Sequence, residues 1–250
     1  MNEFVETLLD LPWQTCEPKP AYDVVIIGGG GHGLSTAYYL AARHGITNVC
    51  VLDANYIGSG NSGRNTTIIR SNYGIPESVR FYQHSLELYQ GLEAETGSWI
   101  MHSTKGQIWL AHSVTAARTE QTRALMNQAC GAHTDYILPD EIKARCPQID
   151  LSGGGRYPVH GASYHHEGAT ARHDRVVWTY AQGALRNGVH IFQHTPVIGL
   201  VKDGDRVTGV HTPNGTISAG IVLSAVGGHV STVAGWAGVR LPIHTHSLQA

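Results

Sequence analysis

The chain has 250 residues, a formal net charge of −2 at pH 7 and only 14% charged residues. No basic surface is expected from this balance, so nucleic acid is excluded as an expected partner. The length is sufficient for one large or two small domains with a sizeable core.

The composition favours a soluble cytoplasmic protein. The four cysteines show neither C-x-x-C spacing nor the density of a disulfide scaffold. The N-terminal segment is acidic and lacks the basic and apolar regions of a signal peptide, and no apolar run is long enough to span a membrane. Prolines at the end of residues 1–21 predict an extended N-terminal arm.

The first strong motif lies in residues 22–40. Residues 22–27 predict a buried parallel strand, which runs into Gly28-x-Gly30-x-x-Gly33 and then into a helical pattern. In this context the glycines allow a tight turn, a close approach of a pyrophosphate to the backbone, and close packing of helix on strand. Asp53, at the end of the next predicted strand, is spaced to accept a hydrogen bond from a ribose hydroxyl. The motif predicts a dinucleotide site, with an ordinary strand–turn–helix connection as the alternative.

A long loop over residues 57–67 follows Asp53 and is rich in glycine, hydroxyl and amide side chains. Such groups can surround a phosphate or the polar edge of a heteroaromatic ring, so the loop favours a flavin dinucleotide over a nicotinamide. A solvated surface loop is the alternative. Arg70 follows two β-branched residues and is suited to holding a carboxylate, although it could equally be a surface arginine.

Residues 75–164 interrupt the nucleotide-binding pattern and predict the start of a second domain. Helices are expected at residues 76–97, at 114–131 and from Pro139 onwards. Strands are expected at residues 106–112 and 156–164.

Histidines are numerous in the region that returns to the first domain. His165 and His166 are adjacent on an extended segment and should point to opposite faces, and no carboxylate or cysteine pattern completes a site, so no metal is predicted. His173 lies at the entry to a helix predicted at residues 174–186.

The C-terminal part predicts β structure. Four short strands between residues 189 and 219 are joined by hairpin signals and form a meander. An apolar strand at residues 221–225 then meets a second glycine turn before a helix. Residues 241–250 predict a strand that is not followed by any turn residues, so the chain is expected to be a fragment of a longer protein.

These elements predict an α/β protein (α+β overall) with a Rossmann-like FAD-binding parallel sheet and a β meander. Residues 22–74 and 165–238 are assigned to a discontinuous FAD-binding domain. Residues 75–164 and 239–250 are assigned to part of a substrate domain.

The sequence resembles the D-amino-acid-oxidase-like family of FAD-dependent amine oxidases, and within it the β subunits of heterotetrameric sarcosine oxidases. The motifs that resemble this family are YDVVIIGGGGHGLSTAYYL, GRNTTIIRSNY, ARHD and LPIHTHSLQA, and the similarity extends over nearly all of residues 22–250.

The resemblance implies a set of cofactor contacts. The FAD pyrophosphate would be lined by Gly28, Gly30, Gly31, His32 and Gly33. The flavin would be lined by Asn61, Arg64, Asn65, Thr66, Thr67 and Ile68. Asp53 would bind the ribose, although the family usually has the longer Glu there, and the Val197 backbone would face the adenine.

Further residues are implied for the substrate and a second flavin. Arg70 matches an arginine that holds the substrate carboxylate. Single-chain relatives have an arginine at the position of Thr67, and this departure favours the heterotetrameric type. His173 matches the histidine that is covalently attached to FMN, and Arg172 would supply positive charge beside that flavin.

The implied reaction is the oxidation of the N-methyl group of sarcosine by FAD, with electrons passing through FMN to oxygen to give hydrogen peroxide. Tetrahydrofolate and NAD would bind on the partner α, γ and δ subunits. Three alternatives stay open: a single-flavin amine or D-amino-acid oxidase or dehydrogenase of the same superfamily, an NAD-dependent dehydrogenase, and a non-enzymatic subunit.

Overall fold

The computed structural model describes residues 17–153 and 155–247. They divide into two compact units, one with the described residues up to Thr66 and from His173 onwards, and one within Thr67–Arg172. We refer to them as the first and second units. Within the described residues, no helix is both long and apolar enough to cross a lipid bilayer.

The strands are numbered in chain order. They are β1 (Ala21–Ile27), β2 (Val49–Leu52), β3 (Ile68–Ile69), β4 (Ser103–Thr104), β5 (Gln107–Ala111), β6 (Thr134–Ile137), β7 (Gly161–His165), β8 (Ala169–Thr170), β9 (His190–Phe192), β10 (Gly199–Asp203), β11 (Arg206–Thr212) and β12 (Gly215–Ser224). The α-helices are α1 (Gly31–His44), α2 (Pro76–Thr96), α3 (Val114–Ala129), α4 (Pro139–Arg145), α5 (His173–Arg186) and α6 (Val230–Trp236).

The first unit contains a six-stranded sheet with the order β10-β11-β12-β1-β2-β9. Strands β12, β1, β2 and β9 run parallel to one another, whereas β11 pairs antiparallel with both β10 and β12 to form a meander. The predicted α/β fold with a parallel sheet and a meander is therefore confirmed.

Strand β1 lies at the centre of this sheet, where its residues 24–27 are apolar on both faces. Val25 and Ile26 are completely buried, and each such side chain contributes about 1.5–3 kcal/mol on burial. Helices α1 and α5 pack closely, since a methyl group at Gly183 of α5 would lie 2.7 Å from the ring of Tyr38 of α1. Cys50 in β2 is fully buried, and burial raises the pKa of its thiol to about 12, in agreement with the predicted packing role.

The second unit contains two three-stranded sheets, with the orders β3-β8-β4 and β5-β7-β6. Its small core centres on Ile137, Ile142 and Ala162. Helix α2 begins with Pro76 in its first turn and ends at Gly97, which has the left-handed φ of 68°. The helix was predicted correctly because proline is favoured in the first turn of a helix and glycine directly after its end.

Several predicted boundaries were wrong. The strand predicted at residues 156–164 begins only at Gly161, because Pro158 interrupts the preceding segment. Strand β6 was missed because its Thr-Asp-Tyr-Ile sequence contains no run of apolar residues. The two strands predicted around Gly220 are one continuous strand, β12, which pairs with β11 through its first half and with β1 through its second.

Two terminal predictions have different outcomes. Residues 241–247 form no regular strand, so the strand predicted there is wrong for the part of the chain that the structure describes. Residues 1–16 of the predicted arm lie outside the described residues. The assignment of the predicted domains to FAD and substrate stays a prediction.

Candidate functional site

The turn between β1 and α1 in the first unit requires glycine at two positions. Gly28 has a φ of 108°, and a side chain there would lie 2.5 Å from the carbonyl oxygen of Ala225. A methyl group at Gly33 would lie 1.9 Å from the carbonyl oxygen of Gly28. Both contacts are impossible for a larger residue, so the glycine pattern is required by the backbone itself.

The N-terminus of α1 is open to an anion. Its N-cap residue, Gly30, has no side chain to cap the helix, and the first turn contains no acidic residue. The Gly31 N–H donates to the Ser62 hydroxyl at 2.8 Å. Free N–H groups and the helix dipole at such a terminus favour a phosphate, so the geometry fits a pyrophosphate.

Ser62 was not among the residues predicted for this site. It lies in the short 3-10 turn Asn61–Gly63, and its hydroxyl would lie only 3.1 Å from a methyl group at Gly30. The loop was singled out by its composition, but only the folded chain brings this hydroxyl to the helix terminus.

Asp53 follows β2 and is partly buried. Its carboxylate accepts hydrogen bonds from the Gly29 N–H at 2.7 Å and from the Asn55 N–H at 2.8 Å. A carboxylate has about four acceptor positions, so these bonds hold the group beside the glycine turn and leave acceptor capacity for a ribose hydroxyl.

The other predicted contacts of the first unit lie around this turn or in the core. His32 is exposed in the first turn of α1. The Asn65 amide donates to the carbonyl oxygens of Asn61 and Ser62, which closes the loop on itself. Val197 is partly buried against the core of the sheet.

Arg64 and Thr66, which lie in the same loop, are exposed. The Asn61 amide nitrogen would lie 3.6 Å from a methyl group at Gly227, so the loop reaches the second glycine turn. That turn was predicted from the sequence, but its proximity to the loop was not.

Two predicted flavin contacts belong to the second unit. Ile68 is 51% exposed although it is a large apolar residue. Thr67 has a φ of 61°, which is a strained conformation for a β-branched residue. Backbone strain of this kind costs about 1–3 kcal/mol and is concentrated at functional sites.

Arg70, also in the second unit, is partly buried and held in an aromatic setting. Its Nη1 donates to both the backbone and the side-chain oxygen of Asn72, each at 3.1 Å. The guanidinium lies 4.2 Å from the ring centre of Tyr73 and 5.2 Å from that of Trp109. Among the described residues, no carboxylate forms an ion pair with Arg70. An oriented cation without an internal counter-charge can bind an external carboxylate.

The residue after Arg70 is anchored by a buried histidine. The Ser71 N–H donates to His165 Nε2 at 3.3 Å, and the Ser71 hydroxyl donates to Gln83 at 2.6 Å. Because Nε2 accepts, Nδ1 carries the proton and faces the His133 carbonyl oxygen at 3.2 Å. Burial lowers the pKa of His165, which keeps this imidazole neutral. Sequence reasoning did not detect this support.

His173 is the first residue of α5, and Arg172 directly precedes it. The Nδ1 atom of His173 is buried and has no hydrogen-bond partner among the described residues. Arg172 has an exposed side chain, and its backbone N–H donates to the Ile100 carbonyl oxygen at 2.9 Å. A buried polar atom without a hydrogen-bond partner costs free energy. The Nδ1 atom is therefore suited to interact with a group that the chain itself does not supply.

Comparisons with known proteins identify a family, similar curated proteins and similar solved structures. Residues 23–249 match the family described as FAD dependent oxidoreductase. The chain is 47% identical over 238 residues to a sarcosine oxidase subunit beta from Arthrobacter sp, and 43% identical to the subunit of the same name from Rhodobacter capsulatus. Both matches cover 95% of this chain, which spans 59% and 57% of the length of these relatives.

Among solved structures, the L-proline dehydrogenase from P. horikoshii superposes with a TM-score of 0.84 at 27% sequence identity. That match covers 90% of this chain and 58% of the dehydrogenase chain.

Proposed function

Because the chain belongs to the family of FAD-dependent oxidoreductases, we propose that this protein is the β subunit of a heterotetrameric sarcosine oxidase. The observation that supports the proposal most strongly is the 47% identity to a sarcosine oxidase subunit beta over 95% of the chain. The open helix terminus beside Gly28 and Gly33 supports the same reading, because it suits a dinucleotide. The proposed substrate is sarcosine, which would be oxidised and demethylated to glycine.

The first unit would hold FAD. The pyrophosphate would lie against the backbone of Gly28, Gly30, Gly31, His32 and Gly33. The ribose would bind Asp53, and the Val197 backbone would face the adenine. The flavin would contact Asn61, Arg64, Asn65, Thr66, Thr67 and Ile68. When bound, FAD would accept a hydride, that is one proton with two electrons, from the N-methyl carbon of the amine.

Arg70 would bind the carboxylate of sarcosine. Its Nη1 is already engaged by Asn72, so the guanidinium has a defined plane from which its other N–H groups can reach a ligand. The rings of Tyr73 and Trp109 lie against the guanidinium and stabilise its positive charge. Hydrolysis of the oxidised amine would then yield glycine and formaldehyde.

A second flavin is proposed at His173, as FMN attached covalently to its ring. The buried Nδ1 without a partner supports a histidine that is completed by a further group. Arg172 would provide positive charge beside this flavin. Electrons would pass from FAD to FMN and then to oxygen, which would be reduced to hydrogen peroxide.

The remaining partners are also proposals. The names of the relatives as subunits support an assembly with other chains, which we take to be α, γ and δ subunits of a cytoplasmic heterotetramer. Tetrahydrofolate would capture the one-carbon unit on a partner subunit, and NAD would also bind there.

The proposal can be tested on the purified complex. Acid precipitation should release FAD into the supernatant while FMN stays with this chain, and sarcosine should reduce the flavin without oxygen and produce hydrogen peroxide in air. His173→Ala should release FMN but retain FAD, whereas His44→Ala, at an exposed position on α1, should change neither.

Other outcomes would contradict the proposal in distinct ways. Release of all flavin from the unmutated chain would support the single-flavin alternative within the same superfamily. A complex that binds no FAD would overturn the whole assignment.

A further inference from the structure

A cluster of possible metal ligands lies on one face of the sheet formed by β5, β7 and β6 in the second unit. Thr134 of β6 is paired with His165 of β7, so His133 lies directly opposite His166. The backbone N–H of His166 donates to the backbone carbonyl oxygen of His133 at 3.0 Å, so the ladder of β6 and β7 extends by this pair. Asp135 is two residues after His133, so its side chain is on the same face as both histidines.

The side chains converge as this register requires. His166 Nε2 lies 2.7 Å from Asp135 Oδ2, and the rings of His133 and His166 stack with a centroid distance of 3.8 Å. One candidate ligand atom from each of the three residues lies within 4.8 Å of the other two. The side chains of His166 and Asp135 are 27% and 40% exposed, so the cluster is open to solvent.

We propose that His133, Asp135 and His166 form a binding site for a divalent transition metal of the zinc class. Two imidazoles and one carboxylate suit zinc and its neighbours, whereas calcium and magnesium prefer oxygen ligands alone. Ligands about 2.0–2.2 Å from a zinc ion are roughly 3.4 Å apart. Binding would require the two stacked rings to tilt towards one ion, and the proton between His166 and Asp135 would be released. The remaining positions of the ion would be taken by water.

A supporting residue holds the carboxylate in position. The Gln128 amide of α3 donates to Asp135 Oδ1 at 2.9 Å, which directs Oδ2 towards His166. Metal-binding carboxylates are commonly oriented by such hydrogen bonds. The ion would connect β6, the edge strand, to β7 and stabilise this side of the sheet.

The competing explanation is an ordinary ion pair between His166 and Asp135. This pair is present, and the hydrogen bond from His166 lowers the pKa of Asp135. The two explanations differ at His133, which stacks on His166 but is not needed for the ion pair. His165, the other neighbouring histidine, is fully buried on the opposite face and is not a ligand.

The test is equilibrium dialysis of the purified complex against Zn²⁺, with the bound metal measured per copy of this chain. At low Zn²⁺ concentration the unmutated chain should bind one more equivalent of Zn²⁺ than His133→Ala or Asp135→Asn. At higher concentration, each variant should bind Zn²⁺ at this site at least tenfold more weakly. His133→Gln, which keeps the size and polarity of the side chain, should behave like His133→Ala.

A matched control and a second readout exclude indirect effects. His84→Ala removes an exposed histidine of α2 that pairs with Glu87, and this variant should bind Zn²⁺ like the unmutated chain. Zn²⁺ should raise the melting temperature of the unmutated chain but not of the His133 variants. Equal zinc binding by the unmutated chain and by both His133 variants would overturn the proposal, since an ion pair alone would then explain the cluster.

Discussion

Asp53 is the residue whose side chain joins the glycine turn to the segment after β2. We expect Asp53→Ala to weaken FAD binding by about tenfold or more, because a hydrogen bond to a charged group contributes about 1.5–3 kcal/mol. Retention of FAD on dialysis measures the effect. Asp23→Ala, which removes an exposed carboxylate of β1 that pairs with Asn48, should leave retention unchanged. Equal retention by the two variants would show that Asp53 is not at the ribose.

Arg70 should determine binding of the substrate carboxylate. Arg70→Lys keeps the charge but loses the planar fork and its stacking on Tyr73, so the apparent substrate affinity should fall about tenfold or more while flavin content stays normal. Steady-state kinetics and flavin absorbance measure the two quantities.

The matched control for this change is Arg123→Lys. Arg123 also lies over Trp109, but it is paired with the Glu120 carboxylate at 3.0 Å. Its replacement should affect neither quantity. Loss of flavin in parallel with substrate affinity would assign Arg70 to the cofactor instead.

At the scale of elements, the contact between β1 and α1 depends on Gly33. Gly33→Ala would force a methyl group to within 1.9 Å of a backbone oxygen, so either the turn or the helix must move. We expect a lower melting temperature and loss of FAD. Gly235→Ala, in α6 with no atom near the added methyl group, should be neutral or stabilise by up to about 1 kcal/mol. A Gly33→Ala protein with unchanged FAD binding and stability would contradict this account of the turn.

At the scale of the whole molecule, one buried and two partly buried histidines should make stability depend on pH. Burial holds the pKa of His102, His165 and His190 below the ordinary value near 6.5. Below about pH 6.5 the unfolded chain takes up protons that the folded chain does not, so stability is full above that pH and falls as the pH decreases towards the folded pKa values. The lowered pKa of Asp135 acts in a separate, more acidic range.

Melting temperatures between pH 7.5 and 5 should reveal this loss. His165→Asn should lower the melting temperature at neutral pH, since Ser71 loses a partner, and should also flatten the dependence on pH. His84→Ala should keep the slope of the unmutated chain. An identical slope in His165→Asn would show that His165 does not contribute to the acid sensitivity.

Local patterns in the sequence were sufficient for the parallel strands, the glycine turn and the capped helices. Residues 24–27 are apolar on both faces, and a side chain at Gly33 would collide with the backbone of Gly28, a near neighbour in the chain. Spacing alone predicts such local constraints, whereas the close approach of Gly28 to Ala225 depends on the fold. The family resemblance is confirmed by the match over residues 23–249 and the relatives with 43% and 47% identity.

Only the tertiary structure decided which distant residues meet. Ser62 reaches the N-terminus of α1, His165 supports the segment after Arg70, and Asp135 joins His166 on one face of a sheet. The sequence shows no carboxylate pattern beside His165 and His166, since Asp135 and His166 are 31 residues apart. The register of β6 against β7 removes that separation. Strand pairing is set by the burial of whole faces, and no local spacing in the chain encodes it.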